Sequence, residues 1–333
     1  MLSQVIQDSW YKPFGFVTVC LLPVSLLFCF LSMLRRFLYQ INVLKKIDIA
    51  VPVIVVGNIN VGGTGKTPLV IAITQYLKAQ GYKPGVISRG YGGKSRQWPQ
   101  DVSPDSEPKL VGDEAVVIAH RCRCPVSVGP DRIASAQSLI EQHQCNVIIS
   151  DDGLQHYRLV RDIEIAVIDG VRRFGNGFCL PAGPLRELPG RLKKVDLVVS
   201  NGKSQPDEYE MELKSYAFHK LNNDTELKPL DAFTGSKVHA VSGIGNNERF
   251  FQQLQNLDIN ITKHPFSDHY RYRQKDLSFK DENPVLMTEK DAVKCKKFPM
   301  ENAWYLRIDA LLENRFYEKL NQTLRKCDGQ KTT

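Results

Sequence analysis

The chain has 333 residues, 42% hydrophobic and 24% charged, which excludes a disordered or fibrous protein and leaves room for two modest cores. A net charge of +8 suits an anionic partner, but no basic tract is interleaved with aromatics, so nucleic acid is not expected. The 8 cysteines are scattered and Cys122-x-Cys124 has no second pair at zinc spacing, so reduced thiols without a metal or disulfide framework are expected.

Phe14 to Leu34 carries no charge and is long enough to cross a hydrocarbon core of about 30 Å as a helix. Arg35, Arg36, Lys45 and Lys46 follow it, against only Asp8 and Lys12 before it, so the positive-inside bias puts the rest of the chain in the cytoplasm. The weakly basic start and the lack of a small-residue cleavage site argue against a removed signal peptide. Pro23 would kink the helix, which a bilayer span tolerates. Trp10, Tyr11, Phe37 and Tyr39 equally suit a helix lying in the interface, and the sequence leaves both arrangements open.

Next comes a β-branched run from Val53, a glycine-rich turn, and a helix-like segment from Leu69 to Lys78. Strand, phosphate loop and helix in this order place a nucleoside triphosphate. The expected nucleotide loop is Asn60, Val61, Gly62, Gly63, Thr64, Gly65, Lys66 and Thr67. Its glycines let backbone N–H groups face phosphate oxygens, Lys66 neutralises phosphate charge, and the Thr67 hydroxyl can ligate Mg²⁺. The usual pattern needs glycine where Asn60 stands; the paired Gly62-Gly63 marks a subtype of the loop.

A strand over Pro84–Arg89 leads into a second glycine loop, Arg89 to Lys94, and Gln97–Pro108 reads as a surface loop. Gly112–His120 reads as a helix with Asp113 and Glu114 in its first turn, where the helix dipole favours them. Strands at Pro125–Val128, Asn146–Ile149, Ile163–Ile168 and Val195–Ser200, with a helix at Asp131–His143, imply a mostly parallel sheet covered on both faces. Asp151 and Asp152 follow a buried-type strand, at the end where α/β sheets bind ligands, and one of them can hold Mg²⁺. His156 can reach the same rim. The Gly- and Pro-rich run Gly175–Glu187 suits a substrate-facing rim tipped by Arg186 and Glu187.

Asn201–Pro229 reads as a polar connector with edge strands, and a new αβ pattern starts at Val238–Ile244. A helix over Asn247–Leu257, strands over Thr262–Phe266, Val285–Thr288 and Trp304–Ile308, and a closing helix over Glu313–Lys326 follow. Ser267-Asp268-His269-Tyr270 offers an Asp–His pair in a loop, and a kinase acting on an alcohol needs a group to take or orient the hydroxyl proton. Nothing in the spacing brings Asp113 and His269 together. Thr288-Glu289-Lys290-Asp291 either faces the nucleotide or caps the helix beyond it.

Together GNINVGGTGKTP, SRGYGG, VGDEA, DDGLQH, GNGFCLPAGPLRE, the DHY loop and LMTEKDAVK resemble the tetraacyldisaccharide 4'-kinase family, the lipid A 4'-kinases, over nearly the whole chain. The resemblance implies ATP-dependent phosphorylation of the 4'-hydroxyl of a membrane-embedded tetraacyl glucosamine disaccharide 1-phosphate, giving the bis-phosphorylated lipid A precursor. By motif, Asp113 is the base-like residue, working with His269, while Lys66 and Thr67 serve phosphate and Mg²⁺. Glu114, Asp151 and Asp152 complete the metal and catalytic rim; Arg89, His156, Arg186 and Glu187 face substrate. Family members often carry proline where this chain has Ser267.

The expected architecture is α/β: an N-terminal membrane helix (1–46), a P-loop NTPase-like parallel-sheet core (47–200), a connector (201–236), a smaller α/β domain closing over the nucleotide (237–327) and a tail (328–333). ATP and Mg²⁺ are the expected cofactors. The lipid substrate and the inner leaflet of the plasma membrane, at its cytoplasmic face, are the expected partners, with no nucleic acid and no obligate protein partner. A membrane-tethered P-loop switch ATPase controlling a protein partner is the alternative; it would not need the Gly175–Glu187 run or the DHY loop.

Overall fold

The computed structural model describes residues 2–12 and 14–331, so Met1 and Pro13 of the expected anchor and Thr332 and Thr333 of the expected tail lie outside the described residues. A short helix α1 (Leu2–Ser9) precedes the long apolar helix α2 (Phe16–Gln40). Then come β1 (Val53–Gly57), α3 (Lys66–Ala79), β2 (Pro84–Ser88), β3 (Gln100–Asp101), α4 (Pro108–Val111), α5 (Asp113–Cys122), β4 (Val126–Val128) and α6 (Arg132–His143). They are followed by β5 (Val147–Asp151), β6 (Ile163–Asp169), β7 (Leu197–Asn201), β8 (Tyr209–Lys214), β9 (Ala217–Lys220), β10 (Asn223–Pro229) and β11 (Lys237–Ser242). The chain closes with α7 (Asn247–Gln255), β12 (Asn260–Pro265), β13 (Val285–Thr288), α8 (Glu289–Cys295), β14 (Ala303–Leu306), β15 (Asp309–Leu312) and α9 (Asn314–Lys331).

Among the described residues, nine strands form the larger sheet in the order β15-β8-β7-β6-β1-β5-β2-β4-β3. From β8 to β4 every pairing is parallel; only the outermost strands β15 and β3 run antiparallel. Strand β1 is buried along its whole length, as its Val-Ile-Val-Val sequence requires of a strand covered on both faces. It lies between β5 and β6, so the loop after β1 and the acidic end of β5 open onto one crevice. The second sheet has the order β10-β9-β14-β13-β11-β12, with a parallel centre and an antiparallel β9–β10 edge.

The chain crosses between the sheets more often than the sequence suggests. Strand β8 leaves the polar connector to join the larger sheet beside β7, whereas β9 and β10 join the smaller one. Strand β15 then returns to pair with β8, and Phe316, Leu320 and Leu324 of α9 enter the core of the larger sheet. Within the segment read as a surface loop, β3 adds an edge to β4.

Helix α2 is apolar enough to enter a membrane, with a mean hydropathy of 2.4 over its most apolar window. One narrow stripe is polar: Thr18, Ser25 and Ser32, each two turns from the next. The Ser25 hydroxyl donates to the Cys179 carbonyl at 2.6 Å, and that of Ser32 to the Arg186 carbonyl at 3.3 Å. Ahead of the helix the Trp10 indole donates to the Pro181 carbonyl at 2.9 Å. The stripe thus docks α2 along the Gly175–Glu187 run, while Phe16, Leu26, Leu27 and Phe30 stay exposed.

Candidate active site

Glycine 65 adopts a left-handed backbone with φ 96°, and a Cβ there would stand 2.9 Å from Met211 and 3.0 Å from Asn201. Only glycine lets the loop turn into α3 at this point. Asn201, at the end of β7, donates to the Thr64 carbonyl at 3.1 Å, and Asn58 donates to the Thr64 hydroxyl at 3.2 Å. A Cβ at Gly62 or Gly63 would meet nothing within 4 Å, so both face open space. Lys66 and Thr67 begin α3, whose N-terminus faces the same space. Asn60 and Val61 use their donors differently: the Asn60 amide donates to the Arg173 carbonyl and the Val61 N–H to the Pro184 carbonyl. These two positions fasten the loop to the segment 173–184.

Asp151 and Asp152 sit at the end of β5 in unlike surroundings. Burial, then the nearby charges of Glu114 and Asp152, push the Asp151 carboxyl up to about 7, and its buried Oδ1 has no partner. Asp152 is also buried, but Lys66 and Arg186 outweigh that and hold it down at about 2. Lys66 Nζ lies 3.4 Å from Asp152 Oδ1, and Arg186 lies 3.0 Å from Oδ2. Asp152 keeps a positive φ of 47°, strain of a kind concentrated at functional sites. Arg132, buried beneath, donates to the Ser150 hydroxyl at 3.0 Å and the Asp151 carbonyl at 2.8 Å.

Asp113 opens α5 and is almost fully buried. His269, from the smaller sheet's loop, places Nδ1 3.0 Å from Asp113 Oδ2 and 3.1 Å from Oδ1. The Glu114 N–H donates to Asp113 Oδ1 at 2.9 Å. Burial would raise the Asp113 pKa, but the His269 hydrogen bond and the charges of Lys290, His269 and Lys294 lower it. His269 is raised, chiefly by its bond to Asp113. The Tyr91 ring lies 5.0 Å from the His269 ring, so the second glycine loop also supports the pair. Ser267 does not leave the loop slack: its carbonyl accepts from the Tyr270 N–H at 3.1 Å, and Asp268 accepts from the His269 N–H at 3.0 Å.

The remaining sequence candidates fall into two groups. Arg186 joins the acidic pair through Asp152, and Glu114 is linked to Lys290 Nζ at 3.1 Å while its charge is felt by Asp151. Glu187 instead faces inward: it accepts from Gln155 at 2.7 Å and from the Tyr157 hydroxyl, with Arg191 at 3.5 Å and Arg36 of α2 at 4.0 Å. Arg89 is exposed at the end of β2. His156 is held neutral, down at about 4, by burial and by Arg132 and Arg161, and its buried Nε2 has no partner. Sequence reasoning missed Asn201, Arg132, Gln155 and Lys294; of these only Lys294 and Gln155 sit inside quoted motifs.

Among the described residues no three His, Cys, Asp or Glu side chains converge as a metal cage. Mg²⁺ needs no such cage: it takes one or two carboxylates and completes its shell with water and phosphate oxygens. The orphaned Asp151 Oδ1, within reach of the Glu114 charge, fits such an ion.

A glycine-rich loop between β1 and α3, together with a carboxylate–histidine pair that joins α5 to the smaller unit, defines the class: a P-loop α/β enzyme of phosphoryl transfer. The model of the family Tetraacyldisaccharide-1-P 4'-kinase matches residues 17–325. The tetraacyldisaccharide 4'-kinase of Nitrosococcus oceani is 51% identical over 99% of this chain and 97% of its own length. That of Hahella chejuensis is 46% identical over 93% of both. The crystal structure of LpxK from Aquifex aeolicus in complex with ATP is 30% identical, with a TM-score of 0.80 over 93% of this chain and 99% of that one. The chain belongs to the tetraacyldisaccharide-1-P 4'-kinase family.

Proposed function

We propose that this chain transfers the γ-phosphoryl group of ATP to the 4'-hydroxyl of a tetraacyl glucosamine disaccharide 1-phosphate at the cytoplasmic face of the inner membrane. The observation that carries the reading is the 3.0 Å contact between Asp113 and His269, a carboxylate–imidazole pair of the kind that takes or orients a hydroxyl proton. Gly62 to Thr67 hold the β- and γ-phosphates, and Lys66 neutralises charge that builds on the transferring group. Mg²⁺, held by Thr67, Asp151 and Glu114, would supply further neutralisation of the phosphate oxygens. Asp113, oriented by His269 and the Glu114 N–H, takes the hydroxyl proton as the new O–P bond forms and ADP leaves. Asp152 with Arg186 borders the acceptor side, as do Arg89 and His156. A regulatory ATPase has no use for such an acceptor-side pair.

Helix α2 brings the lipid to this site. It is fastened to the body from Trp10 to Arg36, which supports a helix lying in the interface with its apolar face toward acyl chains. The disaccharide headgroup then reaches the site over the Gly175–Glu187 run while its chains stay in lipid. Incubating the protein with ATP, Mg²⁺ and tetraacyl disaccharide 1-phosphate in detergent should add one phosphate mass to the lipid. An unchanged lipid mass would sink this reading.

A further inference from the structure

Helix α8 of the smaller unit lies against α5, and one of its lysines reaches the buried Asp113. Lys294 Nζ stands 3.8 Å from Asp113 Oδ2 and 2.7 Å from Asp291 Oδ1, with only 9% of its side chain exposed. Asp291 is fully buried and cannot shift: it accepts from Gly243 N–H at 2.9 Å, the Tyr272 hydroxyl at 3.0 Å and the Thr288 hydroxyl at 2.6 Å. The Tyr272 ring lies 5.1 Å from the ammonium and closes off that side. Among the described residues Lys294 makes no hydrogen bond; burial and its two ion pairs hold the ammonium between the smaller sheet's framework and a carboxylate of the larger one.

The Asp113 carboxylate needs such a fixture. His269 Nδ1 is nearly equidistant from its two oxygens, so the histidine alone leaves it free to rock. Oδ1 also accepts the Glu114 N–H of its own helix, whereas Oδ2 faces Lys294. A buried carboxylate settles where its charge is best compensated. We propose that Lys294 is a positioning residue that fixes the orientation of Asp113 and makes it depend on the seating of the smaller unit against α5. Lys294 itself touches neither nucleotide nor lipid in this account; it works through Asp113. The inference rests on Asp113 as the proton acceptor.

The test is steady-state kinetics on the full-length protein with Lys294→Met, which keeps the stem and removes the charge, beside Lys294→Arg and Asp113→Ala. Lys294→Met should lower kcat about 10–100-fold, the range seen when the partner orienting a functional group is lost. KM for ATP and for lipid should stay within about twofold, because no substrate contact is removed. Lys294→Arg should recover most of the rate. In an Asp113→Ala background, Lys294→Met should change the residual rate less than about twofold, since coupled residues are not additive. If Lys294→Met fails to fold, Asp291→Asn, which loosens the lysine's anchor, should lower kcat in the same way. Full kcat in a folded Lys294→Met or Asp291→Asn protein, while Asp113→Ala retains only a small residual rate, would overturn the positioning role. Full activity of Asp113→Ala would instead refute the assignment of the base.

Discussion

Adjacent carboxylates with opposed electrostatics distinguish this site at the residue scale. Asp152 is paired with Lys66 and Arg186, whereas Asp151 is buried with one oxygen unpaired. The folded protein holds a proton on Asp151 up to about pH 7, well above the ordinary carboxylate value. The unfolded chain has lost that proton by then, so this group's contribution to stability is full below about pH 4 and is lost as pH rises through about 7. A divalent cation reverses the penalty by binding the ionised form. Mg²⁺ should therefore raise the melting temperature more at pH 8 than at pH 5.5, and Asp151→Asn should abolish most of that difference in a thermal-shift titration. An equal Mg²⁺ effect at both pH values would place the ion elsewhere. Asp151 and Asp152 were legible in sequence because they end a run of buried β-branched residues. Asp113 and His269 were paired only through the family resemblance; spacing could not join them, since 156 residues separate them and the seating of the smaller unit brings them together.

At the scale of elements, α2 carries the clearest sequence signal and the least expected contacts. Its uncharged run was plain, but its polar stripe gained meaning only once Ser25 and Ser32 were found bonded to the Gly175–Glu187 run. The stripe also brings Cys29 against Cys179. If α2 stays docked in the interface, mild oxidation of the protein in lipid vesicles should join Cys29 to Cys179, read by mass spectrometry of non-reduced peptides. A helix that left the body to cross the bilayer would give no such peptide. Strands β8, β9, β10 and β15 were the hardest to read. Strand β10 alternates exposed and half-buried residues, and β15 lies on an edge, so neither shows the apolar run that marks β1 or β5.

Over the whole molecule, α5 is the beam joining the two sheets. Its first turn meets His269 and Lys290, and its last turn carries Arg121, whose side chain is 3% exposed. Arg121 donates to Glu289 at 2.9 Å, to the Ile308 carbonyl at 3.3 Å and to Asp309. Burial raises the Glu289 pKa even with that partner. Removing the arginine takes away the nearest partner of buried Glu289 and leaves only the more distant charge of Arg307, a loss of up to about 3–5 kcal/mol. Arg121→Ala should thus lower the melting temperature, and turnover should fall with it because His269 reaches Asp113 across the same junction. An unchanged melting curve would mean that the units hold together without this contact.

The most direct test of phosphoryl transfer to a lipid alcohol is to count ADP against phosphorylated lipid and locate the new phosphate by tandem mass spectrometry. With tetraacyl disaccharide 1-phosphate, ATP and Mg²⁺, one phosphate should appear on the 4'-oxygen of the distal sugar for each ADP formed. ADP formed at full rate with no phosphate on the lipid would contradict the account and leave a nucleotide switch in its place.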